Sequence, residues 1–178
     1  MDRNLLLAAL LLLCAAGLLA CSDPARTARR EVDRVTRITQ RTEVNLKRTT
    51  RAALLEVAKA EGTRRGAELK AQGCVASMAS QPSTALEEPC RGIVAASEKR
   101  YAEKSAAILG PAKKVDQAIG ATYVSLLVVL DVLEDIAAGL KPGGLEAKLA
   151  QLVAEAVKLY ADALAAFNAW KSTVGGTP

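Results

Sequence analysis

The side chains whose types and spacing could do chemistry are four cysteines, a dense acidic cluster and a long row of arginines. Cys14, Cys21, Cys74 and Cys90 form no Cys-x-x-Cys pair, and the chain contains no histidine. A dithiol redox centre, an imidazole general base, a His-dependent triad and an imidazole metal site therefore lack their residues. Asp131, Glu134 and Asp135 would suit paired-carboxylate acid–base work. Against Leu126 and Val129, however, they fall on the outer positions of a heptad, where acids ordinarily form a solvated face. Glu87 and Glu88 lie in a loop and read the same way. Tyr101, Tyr123 and Tyr160 occupy apolar helical positions and read as core residues with a hydrated hydroxyl. With no phosphate-binding glycine loop and no nucleophile beside a base, the sequence points away from an enzyme, a metal or a dissociable cofactor.

Cys21 stands apart because of what precedes it. Leu5 to Ala20 is an apolar run of sixteen residues, short of the roughly 17–25 a membrane span needs but suited to the core of a secretory signal peptide. It ends in Leu18-Leu19-Ala20-Cys21, which resembles the lipobox of bacterial lipoproteins: an aliphatic residue, a tolerant position, a small residue, then the cysteine. The resemblance covers only the first 21 residues. It implies cleavage after Ala20, a diacylglycerol on the Cys21 sulfur and a palmitate-type acyl chain on the new amino terminus. Cys14, preceded by Leu11-Leu12-Leu13, lacks the small residue the peptidase needs. The leader departs from the pattern in Met1-Asp2-Arg3-Asn4, whose single basic side chain is offset by an acid. Ser22 implies, by the same resemblance, passage to the outer membrane, facing the periplasm. In that oxidising compartment Cys74 and Cys90, sixteen positions apart across a segment containing Pro82 and Pro89, are expected to form a structural disulfide. Closing such a loop is worth about 3 kcal/mol in the chain-entropy model.

The elements that position these residues read as helices. The chain is 51% hydrophobic but only 3% aromatic, and Ala dominates, a composition that packs helices rather than sheets. Asp23-Pro24 gives an N-cap and a proline for the first helical position. Beyond it Ala28, Val32, Val35, Thr39, Thr42, Leu46, Thr49 and Ala53 recur at alternating spacings of four and three, a seam along one side of a helix. Arg30, Arg34, Arg37, Arg41, Arg48 and Arg51 share the opposite side. The formal net charge is +5, and Ser22 to Ala60 holds ten Lys or Arg against five acids. Export removes nucleic acid as a partner and leaves lipid head groups, cell-wall carboxylates or acidic proteins for this face.

Gly62 and Gly66 are expected to weaken the first helix and Gly73 to end it. Thr84 with Glu87 suggests a capping box for a short turn. A helix over 91–109 follows, with Ile93, Val94, Tyr101, Ile108 and Leu109 as candidate core, closed by Gly110-Pro111, which starts the next. Val115, Ile119, Thr122, Leu126, Val129, Leu133, Ile136 and Leu140 then form one heptad seam. After Lys141-Pro142-Gly143-Gly144, Leu145, Leu149, Leu152, Ala156, Leu159, Ala163, Ala166 and Trp170 form another. The pair reads as an antiparallel helical hairpin. Tyr123 to Leu130 is apolar on every side, which favours a central core helix over an exposed binding patch.

The expected fold is all-α: a lipid-anchored helical bundle with a long N-terminal helix and a C-terminal antiparallel hairpin. Its expected parts are a signal peptide over 1–20, a basic helix over 21–66, a bundle over 67–174 and a tail over 175–178. The expected role is non-enzymatic: a scaffold or accessory binding protein in an envelope, secretion, lysis or surface-exclusion process, with an envelope protein or a second copy as partner. The alternative is a carrier whose bundle encloses a lipid or other apolar ligand.

Overall fold

The computed structural model describes residues 24–139 and 144–175. The lipobox with Cys14 and Cys21, Ser22, the Asp23 cap, seam residue Leu140 and the Lys141 to Gly143 connection lie outside the described residues. The fold is all-α: α1 spans Pro24–Ala71, α2 Cys90–Ala137 and α3 Leu145–Gly175. The only other regular elements among the described residues are two 3-10 turns, Ala76–Ser80 and Ser83–Ala85. Two compact units share these helices. The first takes residues through Asn45 with Lys114–Trp170, and the second takes Leu46–Lys113 with residues from Lys171.

In the first unit three heptad seams meet. Ala28, Val32 and Val35 of α1 pack with Leu126, Val129, Val132 and Leu133 of α2 and with Leu149 and Ala156 of α3. The short connection from α2 to α3 makes these neighbours antiparallel. Each fully buried Val or Leu contributes about 1.5–3 kcal/mol. Thr39 and Thr122 are wholly buried on the same seams, and each hydroxyl donates to a carbonyl one turn back in its own helix, Val35 at 2.7 Å and Ala118 at 3.0 Å. That local bond removes the cost of a dry hydroxyl. Toward the end of α3 one expected seam position differs, while Ala163 and Trp170 are buried as expected. Ala166 is exposed while Phe167 and Trp170 are buried, their rings 6.0 Å apart.

In the second unit the lower half of α1 packs on the upper half of α2. α1 ends in a Schellman turn: the amide of Cys74 donates to Leu69 and that of Gly73 to Lys70, with Gly73 at φ +72°. Gly62 and Gly66 lie inside the helix and do not end it. Leu69, Leu86 and Val94 form a small core beside Cys74, Cys90 and Met78. The Ser83–Ala85 turn begins without a side-chain cap, so the Thr84 capping box does not form. Instead Ser83 donates through its hydroxyl to Glu98 at 2.9 Å.

Three expectations are corrected. Gly110-Pro111 does not separate two helices, because α2 runs unbroken through it. Proline costs one backbone bond, but α2 has buried residues on both sides of it, Ser105 before and Ala112, Val115 and Ile119 after. Tyr101 and Leu109 are exposed rather than core. The Tyr123 to Leu130 stretch is core on one side only: Leu126 and Val129 are buried, whereas Val124, Leu127 and Val128 are 63%, 60% and 41% exposed.

The seam account predicts an asymmetry. Leu149→Ala should lower the unfolding free energy by about 2–4 kcal/mol. Thr39→Val, which exchanges a self-satisfied hydroxyl for a methyl, should stay within about 1 kcal/mol of the parent, and denaturant midpoints of the two variants check this.

Candidate functional site

The amphipathic pattern of α1 puts its seam inward and leaves the other side free. All six arginines of the stripe are exposed. Arg30, Arg34, Arg37 and Arg41 lie on the first unit's part of α1, and Arg48 and Arg51 on the second's. Within the first group Arg34 approaches Glu31 at 3.7 Å, and Arg37 Nε donates to the Asp33 carbonyl at 3.1 Å. Both contacts are local to the helix and exposed, so they constrain the guanidinium groups little. Val44 is 63% exposed at the next position of the same row. With Arg37, Gln40, Arg41 and Asn45 it lines a shallow open depression. The arrangement is a cationic face with a small apolar spot.

Cys74 and Cys90 are joined by a disulfide, with their Cα atoms 6.2 Å apart. It ties the end of α1 to the start of α2 across the connecting segment. Removing it by Cys74→Ser with Cys90→Ser should cost about 3 kcal/mol, read as a fall in melting temperature.

A charged cluster that sequence reasoning missed lies above the disulfide in the same unit. Glu61, whose side chain is only 4% exposed, accepts from Lys104 Nζ at 2.6 Å and from Arg100 Nε at 3.1 Å. Arg100 also reaches Glu68 at 3.0 Å, and Glu68 accepts from Arg64 at 2.9 Å. The signal was present in the sequence. Val57, Glu61, Arg65 and Leu69 continue the inward side of α1 at four-residue steps. The Lys104 hydrogen bond, partly offset by burial and joined by Arg100, holds the Glu61 carboxyl below its usual range. Hydrogen bonds from Arg64 and then Arg100 do the same for Glu68. This cluster is a clamp between two helices. Every group in it has an opposite charge beside it.

The remaining candidates are solvated or structural. Asp131, Glu134, Asp135, Glu87 and Glu88 are exposed. Tyr123 donates to Glu43 at 3.2 Å, and burial followed by the Glu43 charge raises its pKa. Burial also raises the pKa of Tyr160, against a hydrogen bond with Thr42. Both hydroxyls therefore stitch α1 to its neighbours in the first unit. Among the described residues no group of three His, Cys, Asp or Glu is placed to hold a metal ion, and no helix is long and apolar enough to cross a membrane. No family model matches the chain, and neither a curated protein nor a solved structure matches it.

The clamp predicts an acid limb in stability. Glu61 and Glu68 have folded pKa values below the unfolded value near 4.5. Their contribution is therefore present above that pH and is lost as pH falls through the lower folded values. Melting temperature should fall below about pH 4.5, and Glu61→Gln with Glu68→Gln should start lower at neutral pH and fall less steeply in acid.

Proposed function

We propose that this chain is a bacterial envelope lipoprotein, held to the membrane through lipid on Cys21, and that its helical body works by binding rather than catalysis. The observation that carries the binding half is the exposed row of Arg30, Arg34, Arg37 and Arg41 on α1, which begins at Pro24, three residues beyond Cys21. A lipid at Cys21 would hold this face close to anionic head groups. Polybasic segments gain roughly 1 kcal/mol per engaged charge at such a surface. The exposed Val44 beside Arg41 adds an apolar contact of the kind interfacial helices use. The Cys74–Cys90 disulfide agrees with an exported protein, since such bonds persist in oxidising compartments. The role this supports is an accessory or scaffold protein of the envelope, at the outer membrane and facing the periplasm.

Two results test the reading. Cys21→Ser should release the protein from the membrane fraction or leave an unprocessed precursor, while Cys14→Ser changes neither. Protein beginning at Ser22 without lipid should bind phosphatidylglycerol vesicles at low salt and lose them at high salt. Arg→Gln at 34, 37 and 41 should weaken that binding in steps, and absence of binding at low ionic strength would remove the membrane contact from the proposal.

A further inference from the structure

The cations of the first unit are divided by type. From Pro24 to Asn45, α1 carries Arg26, Arg29, Arg30, Arg34, Arg37 and Arg41, all exposed, and no lysine. In the same unit the described parts of α2 and α3 carry Lys114, Lys148 and Lys158, all exposed, and no arginine. Lysine is thus what this unit uses where a charge only meets water, and a face that needed positive charge alone could use it on α1 as well. A guanidinium differs from an ammonium in shape rather than in charge. Its planar fork gives one phosphate two parallel N–H···O bonds, where lysine offers a hydrated point charge. Acids are kept off this face: between Arg34 and Asn45 the one acid is Glu43, which is half-buried and accepts from Tyr123 at 3.2 Å. Arg37 and Arg41, one turn apart, line the shallow depression with Gln40, Val44 and Asn45, and no acidic side chain lines it. Arg37 Nε is taken by the Asp33 carbonyl at 3.1 Å, so its two Nη groups are the ones that would meet an anion.

We infer that the α1 face reads phosphate groups through guanidinium forks, and that the depression beside Arg37 and Arg41 seats the phosphodiester of an anionic phospholipid. The lipid is one of the membrane that holds Cys21. Two observations favour a lipid over a soluble phosphate. Val44, 63% exposed beside the arginines, suits a ligand that brings glyceryl and acyl carbons with its phosphate. The row from Arg30 to Arg41 extends about 16 Å at 1.5 Å per residue, enough to meet several phosphates at once, as a bilayer surface presents them. The inference deepens the membrane contact proposed above and rests on it. That contact needs only positive charge, whereas this one needs arginine.

Vesicle co-sedimentation of residues 22–178 without lipid, which contain every described element, tests it. The parent should bind phosphatidylglycerol vesicles at low ionic strength. Arg→Lys at 34, 37 and 41 keeps the charge and should weaken that binding about tenfold by losing the forks. Lys148→Gln with Lys158→Gln removes two charges from α3 and should leave binding within about twofold of the parent, since charges off the face are screened from the surface. All five positions are exposed, and unchanged circular dichroism would show that the fold is kept. Equal binding by the parent and the Arg→Lys protein would show that charge alone is read, which overturns the inference and leaves the membrane contact as proposed. A loss from the α3 pair as large as that from the α1 set overturns it in the same way. Inorganic phosphate alone should show no saturable binding by calorimetry, and saturable binding would overturn the assignment to lipid. A parent that binds no vesicles removes the membrane contact and this inference together, a result distinct from the others.

Discussion

A helix in a protein draws most of its stability from packing its apolar seam, and the described residues include two helices of 48 residues, α1 and α2. Covering those seams is the constraint on which the rest depends. The residues available are small: Ala28, Val32, Val35 and Thr39 on α1 against Leu126, Val129 and Leu133 on α2. Seams of this width bring helices close and bury only one side of each. The other sides stay in solvent: arginines on α1, and Val124, Leu127 and Val128 on α2. Fold and surface are therefore one consequence of a heptad pattern written in Ala, Val, Leu and Thr.

The two units meet the constraint differently. The first has three helices and enough apolar contact to be held mainly by burial. The second has two helix halves and a core of only Leu69, Leu86 and Val94 with their half-buried neighbours. There a disulfide and the Glu61, Arg100, Lys104 and Glu68 cluster supply what a small core does not. An interhelical charge cluster is favourable only while all its members are paired, so it fixes which helix surfaces meet more than it adds stability.

Much of this was legible in the sequence, where the physics is local and periodic. Six of the eight expected seam residues on α1, Ala28 to Leu46, are fully buried, and the expected cysteine pair is joined. The six arginines are exposed as their phase requires. Reading failed where a local signal competed with a longer one. Gly110-Pro111 suggests a break, yet α2 runs through it with Ser105 buried before and Ala112 and Val115 buried after, and tertiary burial prevails over the punctuation. An acid such as Glu61 ordinarily reads as a surface residue, although its phase with Val57 and Leu69 places it inward. The run from Tyr123 to Leu130 reads as central because composition alone does not tell which sides of an apolar helix are covered.

The central claim is that the chain begins its working life at a lipidated Cys21 and carries its surfaces on a disulfide-tied helical body. Mass spectrometry of protein isolated from bacterial membranes tests it most directly. The account predicts an N-terminal peptide that starts at Cys21 with a diacylglyceryl group on its sulfur, together with a Cys74–Cys90 linked peptide that separates only on reduction. A peptide retaining Met1, or an unmodified Cys21 in mature protein, would contradict it.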